Sequence, residues 1–126
     1  MLEEMHTDQA PAAVGPYSQA VKAGGFLFVS GQIPGETEAG PAPDTIESQA
    51  RRVFTQLKNI LEASGSSLSN VVKTTVFVRS MADFASVNRI YGEFFSKPYP
   101  ARSCVEVSAL PKGAAIEAEA IALASA

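Results

Sequence analysis

The chain has 126 residues, 46% hydrophobic and 18% charged, with a mean hydropathy of +0.08, which fits one domain with a real apolar core. Its net charge of -3 and pI near 5.1, with no Lys/Arg run, argue against the basic footprint that nucleic-acid binding requires. One cysteine excludes an internal disulfide or a Cys-rich metal site, and the one histidine, His6, sits in a polar tail, so neither a His triad nor a metal centre is expected. No apolar run approaches the roughly 18–20 residues of a membrane span. The start, with Glu3 and Glu4, is not a signal peptide, so the expectation is a cytoplasmic, metal-free domain without membrane contact.

Residues 1–16 are polar and carry Pro11, Gly15 and Pro16, which predicts an extended arm. Tyr17 to Ala23 partly alternates, and Gly24-Gly25 supplies the positive φ of a tight hairpin turn. Phe26 to Gly31 is a strand of nearly continuous apolar character, as expected when both faces are covered. Ser30 and Gly31 end it with a small hydroxyl and an open backbone. That pairing either lets a ligand approach closely or simply marks a strand running into a turn.

Residues 32–43 form a loop rich in Pro and Gly, and Asp44 with Glu47 resembles a capping box. The helix after it carries Ile46, Ala50, Val53, Phe54, Leu57, Ile60 and Leu61 as one wide apolar stripe, closed by Ser64-Gly65. Val71 to Val78 is a β-branched strand, with Val72, Thr74, Val76 and Val78 expected on one face. Ser80 and Asp83 suggest a second cap. Phe84, Val87, Tyr91, Phe94 and Phe95 then form a helical stripe into which Asn88 falls. A polar group there needs a partner, either a neighbouring backbone group or a substrate.

Pro98 and Pro100 lead into a strand over Ala101–Val107, and strand alternation puts Arg102, Cys104 and Glu106 on one face. A turn at Leu110-Pro111-Lys112-Gly113 precedes a last strand, Ile116 to about Leu123, with Glu117 and Glu119 sharing a face. An arginine on a rigid strand is a fork for a carboxylate ligand, and a nearby glutamate can move a proton or hold a water. Arg102 and Glu117 are therefore the candidate catalytic residues. Cys104 lacks a histidine to activate it and reads as packing rather than as a nucleophile. The order β-β-α-β-α-β-β makes an α+β domain, a mixed sheet with both helices on one face. Strands that are apolar on both sides predict that another subunit covers the second face, hence a homo-oligomer.

Several segments together carry a resemblance: Gly15-Pro16-Tyr17-Ser18-Gln19-Ala20, Ser30-Gly31-Gln32-Ile33-Pro34, Val72-Lys73-Thr74-Thr75-Val76-Phe77, Pro100-Ala101-Arg102-Ser103 and Ile116-Glu117-Ala118-Glu119. In this order and spacing, from about residue 8 onward, they resemble the Rid (YjgF-like) family and its RidA branch. The resemblance implies a chorismate-mutase-like fold assembled as a homotrimer around a central barrel, with ligand clefts between subunits. It implies a 2-iminobutanoate/2-iminopropanoate deaminase that needs no cofactor. Such an enzyme hydrolyses the 2-imino acids derived from 2-aminoacrylate and 2-aminocrotonate to 2-keto acids and ammonia, downstream of pyridoxal-phosphate-dependent dehydratases. Position by position, the substrate-carboxylate arginine matches Arg102 and the acidic residue of the last strand matches Glu117. Tyr17, Ser30, Gly31, Asn88 and Cys104 match the remaining substrate-binding positions. The 95–100 segment is shorter than the family's common loop, and Arg79-Ser80-Met81 lacks an acidic residue often found there, which bears on side-chain preference. Two rival readings are a non-catalytic trimeric module binding small carboxylates or keto acids, and an RNA-directed translation inhibitor or ribonuclease.

Overall fold

The computed structural model describes residues 1–37 and 40–125. Six strands form one mixed sheet: β1 (Glu3–Met5), β2 (Ala20–Ala23), β3 (Phe26–Gln32), β4 (Val71–Val78), β5 (Ala101–Glu106) and β6 (Ile116–Leu123), in the order β1-β2-β3-β6-β4-β5. Every pairing is antiparallel except β4 with β5. Helices α1 (Ile46–Ala63) and α2 (Phe84–Phe94) pack against each other, and α1 lies on β3 and β6. The architecture is the expected α+β domain with a mixed sheet and both helices on one face.

Four local expectations are corrected. The 1–16 arm opens with a strand, because Glu3, Glu4 and Met5 pair with Lys22, Val21 and Ala20 at the free edge of β2. The first-helix cap is Thr45, not Asp44: its side-chain oxygen accepts from the Ser48 N–H at 3.1 Å, while Glu47 sits in the positive first turn. The second-helix cap is similarly split, with Ser80 accepting from the Ala82 N–H at 3.2 Å and Asp83 making no side-chain cap bond. In β4 a register shift against β6 at Val71/Lys73 breaks the alternation, so Val71 is buried and Val72 exposed.

The core lies between sheet and helices. Val53, Phe54, Leu57, Ile60 and Leu61 of α1 are buried against Leu27 and Val29 of β3, Thr74, Val76 and Val78 of β4, and Ile116, Ala118, Ala120 and Ala122 of β6. Each large side chain buried there contributes about 2 kcal/mol. Small alanines on the helix side of β6 let α1 approach the middle of the sheet closely. Phe54 anchors an aromatic cluster, edge-on to Tyr91 at 5.5 Å and to Phe95 at 6.1 Å. On the opposite face, Phe26, Phe28, Val105 and Leu123 are 40–44% exposed. The chain itself leaves these apolar side chains uncovered. No helix among the described residues is long and apolar enough to cross a membrane.

Candidate functional site

The register of the sheet decides where the candidate residues go. Because β5 runs parallel to β4, with Thr74 opposite Arg102, Val76 opposite Cys104 and Val78 opposite Glu106, these three share the helix side of the sheet. That is the grouping alternation predicts. β5 ends the sheet order, so Arg102 stands at an edge beside α2.

Arg102 is held from three directions. Its Nη1 donates to Asn88 Oδ1 at 2.7 Å, and its guanidinium carbon lies 4.8 Å from the Tyr91 ring centre and 5.6 Å from that of Phe84. A cation over such rings gains about 0.5–1 kcal/mol at a surface site. Tyr91 is itself fixed, its hydroxyl 2.8 Å from Thr74 Oγ1 inside the core. Burial raises the Tyr91 pKa above the ordinary phenol, against smaller opposing effects of the Thr74 hydrogen bond and the Arg102 charge. Asn88 thus neither bonds a backbone group nor idles on the stripe: it orients the guanidinium. One of five guanidinium N–H groups goes to Asn88, and the others have no protein acceptor among the described residues. They border a groove of about 480 Å³ lined by Asn88, Tyr91, Gly92, Tyr99, Pro100 and Arg102.

Cys104 is half-buried behind Arg102, and burial raises its thiol pKa more than the Arg102 charge lowers it. It is a neutral thiol at ordinary pH, poorly suited to nucleophilic attack. Glu106 accepts from the Met81 N–H at 2.8 Å and so ties the turn before α2 to the end of β5.

Glu117 is not beside Arg102. In the β4–β6 ladder it pairs with Phe77, on the uncovered face, whereas Arg102 is on the helix face. Two strand spacings and three residues along the strand separate them by roughly 14 Å, with the sheet itself between. Within one chain the two cannot touch one small ligand. Burial, then the neighbouring Glu119, pushes the Glu117 carboxyl above the ordinary range, so its proton is held more firmly than a surface glutamate's.

Ser30, Gly31 and Glu117 do come together. The β3–β6 register shifts between Val29 and Gln32, and the carboxylate of Glu117 folds over the backbone of this bulge. A Cβ at Gly31 would stand 2.2 Å from Glu117 Oε2, so no other residue fits without moving the carboxylate. Gly31 is a close approach and not merely a strand end. The Ser30 hydroxyl donates to the Ser18 carbonyl at 2.5 Å, and its N–H donates to Gln19 at 2.9 Å, which fastens the bulge to the start of β2. Tyr17 lies just before β2, half-exposed, with its phenol oxygen 3.4 Å from the Val14 N–H.

Sequence reasoning passed over a trio of buried amides, Gln19, Gln32 and Gln56, at 2%, 5% and 1% exposure. Gln56 sits among the apolar side chains of α1, and its place on that stripe was the available signal. Tyr91 was legible only as a stripe residue, since its contact with Arg102 depends on the β4–β5 pairing.

These features define a class: an α+β protein with two helices on one face of a six-stranded mixed sheet, an aromatic-backed arginine on an edge strand and a high-pKa carboxyl on the bare face. Comparison with known proteins agrees. The model of the family described as Endoribonuclease L-PSP matches residues 7–124. A RutC family protein of Sinorhizobium fredii is 51% identical over 123 residues, covering 96% of this chain and 97% of that one. The 2-iminobutanoate/2-iminopropanoate deaminase of Escherichia coli is 47% identical over 126 residues, covering 98% of each. The crystal structure of RidA from the Antarctic bacterium Psychrobacter sp. PAMC 21119 superposes with a TM-score of 0.91 at 45% identity, over 96% of this chain and 98% of that one. The chain belongs to the Rid (YjgF-like) family.

Proposed function

We propose that the protein is a 2-imino acid deaminase, hydrolysing the C=N bond of 2-iminopropanoate- or 2-iminobutanoate-like substrates to a 2-keto acid and ammonia. The observation that carries this reading is Arg102, seated on Tyr91 and steered by Asn88, with unengaged N–H groups facing a groove. Such a fork pairs bidentately with a carboxylate. The deaminase name of the Escherichia coli relative supplies the reaction class.

In this reading Arg102 holds the substrate carboxylate and so fixes the plane of the adjoining iminium carbon. Water adds to that carbon, its proton moves to nitrogen, and the resulting carbinolamine collapses to the keto acid as ammonia leaves. A carboxyl whose proton affinity is raised, as burial raises that of Glu117, suits both halves, accepting the proton of water and returning one to nitrogen. Because Arg102 and Glu117 lie on opposite faces of their own sheet, the working site pairs the arginine of one copy with the glutamate of the next. The bare face with Phe26, Phe28, Val105 and Leu123 is then the contact between copies, in a homotrimer.

A coupled assay tests the reaction: a serine or threonine dehydratase releases the enamine, and its loss is followed with and without the protein. Mixing tests the shared site. Arg102→Ala and Glu117→Ala should each be inactive, yet refolded together in equal amounts they should regain about a quarter of wild-type activity, since random assembly leaves that share of interfaces with both residues. No regain from two assembled variants would place the chemistry within one chain and overturn the shared site. The endoribonuclease description of the family model favours a second reading, RNA cleavage. The net charge of -3 opposes it, and RNA binding without steep salt dependence would dismiss it.

A further inference from the structure

We infer that Gln56 of α1 is a positioning residue for the Glu117 carboxylate, acting through Gln32 and the backbone of residues 30–35; the inference rests on the role proposed for Glu117. A fully buried amide inside an apolar stripe is costly unless each polar atom is bonded. The Gln56 amide is bonded throughout. Its Nε2 donates to the Ile33 carbonyl at 2.9 Å and to Gln32 Oε1 at 3.1 Å, and its Oε1 accepts from the Gly35 N–H at 3.2 Å. Gln32 passes the link on, donating from Nε2 to the Ser30 carbonyl at 3.2 Å. The next residue is Gly31, whose backbone lies directly beneath the Glu117 carboxylate.

The chain of contacts therefore runs from the middle of α1, beneath the sheet, to a carboxylate on the opposite side. The bulge in β3 lacks part of the normal ladder, and without those ladder bonds its position depends on side chains. The two glutamines supply them from the helix face, and Ser30 supplies one from the β2 side through Ser18. The charged group that bears on Glu117 is Glu119 on its own strand, and β3 carries no charged residue. With so little charge nearby, the seat of the carboxylate is set chiefly by how closely the bulge packs under it.

The test is Gln56→Met, which keeps length and apolar volume but removes all three bonds, with Gln32→Met as a second variant that breaks the links to Gln56 and to Ser30 but leaves those from Gln56 to Ile33 and Gly35. Three quantities are read: thermal midpoint, the Glu117 pKa by carboxyl-carbon NMR titration, and kcat and KM in the coupled assay. Both variants should unfold at lower temperature. In both, the Glu117 pKa should fall toward the ordinary value as water reaches the loosened bulge. kcat should fall about tenfold while KM, governed by Arg102, changes less than about threefold. If Gln56→Met does not fold, Gln32→Met carries the test with the same expectations. A lowered thermal midpoint with an unchanged Glu117 pKa and unchanged kcat would make the network merely structural and overturn the inference. The NMR titration needs no turnover, so it decides the positioning role even if the deaminase reading fails.

Discussion

A methyl group placed on Gly31 tests how tightly the Glu117 carboxylate is seated. Gly31 is not in the left-handed region, so its backbone accepts alanine without strain. The conflict is with one side chain: the new Cβ would fall 2.2 Å from Oε2 and 3.0 Å from the carboxyl carbon of Glu117. The carboxylate is the free end of a flexible chain, so it gives way and the sheet does not. Restoring ordinary contact moves the oxygen by more than about 1 Å, a displacement that costs on the order of a hundredfold in rate when the group must meet a reacting atom. Stability should hardly change, because the cost of moving the glutamate is offset by the roughly 0.4–1 kcal/mol that a Gly to Ala change gains in the unfolded chain. Gly31→Ala should thus keep its thermal midpoint within a few degrees and lose about two orders of magnitude of kcat in the dehydratase-coupled assay, with a small change in KM. A folded variant that turns over at a rate within about threefold of wild type would refute the claim that this carboxylate does the work.

Two further predictions concern single groups. Burial and Glu119 raise the Glu117 pKa in the folded chain, so folding favours its protonated form. The stabilisation this gives is complete below the unfolded pKa and is lost as pH rises through the folded value. Glu117→Gln should therefore unfold at a higher temperature than wild type at neutral pH, with the gap closing in acid, while turnover is lost; a gap that widens in acid would reverse the sign argued here. Cys104→Ser should keep activity within about twofold, since burial leaves a neutral thiol and nothing nearby activates it. Loss of most turnover in the coupled assay would restore a thiol mechanism.

The apolar stripe of α1, the β-branched run of β4 and the Gly24-Gly25 hairpin were all readable because each is a local pattern, and local patterns fix local structure. So was the shared face of Arg102, Cys104 and Glu106, since strand alternation is indifferent to the neighbouring strand. What sequence could not supply was pairing. That β6 inserts between β3 and β4, and that β5 pairs parallel to β4, follows from tertiary packing, and it alone decides that Arg102 and Glu117 face opposite ways. The register shift at Val71 escaped for a similar reason: a bulge flips parity without any residue type that demands it. Thr45 displaced Asp44 as cap because either side chain is competent, and one residue of helix register chose between them. Gln56 was hidden by its neighbours, as a polar letter in an apolar stripe looks like an interruption until its partners are seen.

The position of β5 at the end of the sheet has a consequence for solubility. An outermost strand offers a row of unsatisfied backbone groups on which a stray strand can grow, and chains with such edges are prone to stack into fibrous aggregates unless something blocks the approach. Here the approach is blocked twice. Pro98 and Pro100 stiffen the entry to the strand and withhold N–H donors, and Arg102 and Glu106 place opposite charges along it. The guanidinium proposed to hold the substrate carboxylate would then also act as a gatekeeper against self-association, one charge serving both the edge of the sheet and the groove beside it.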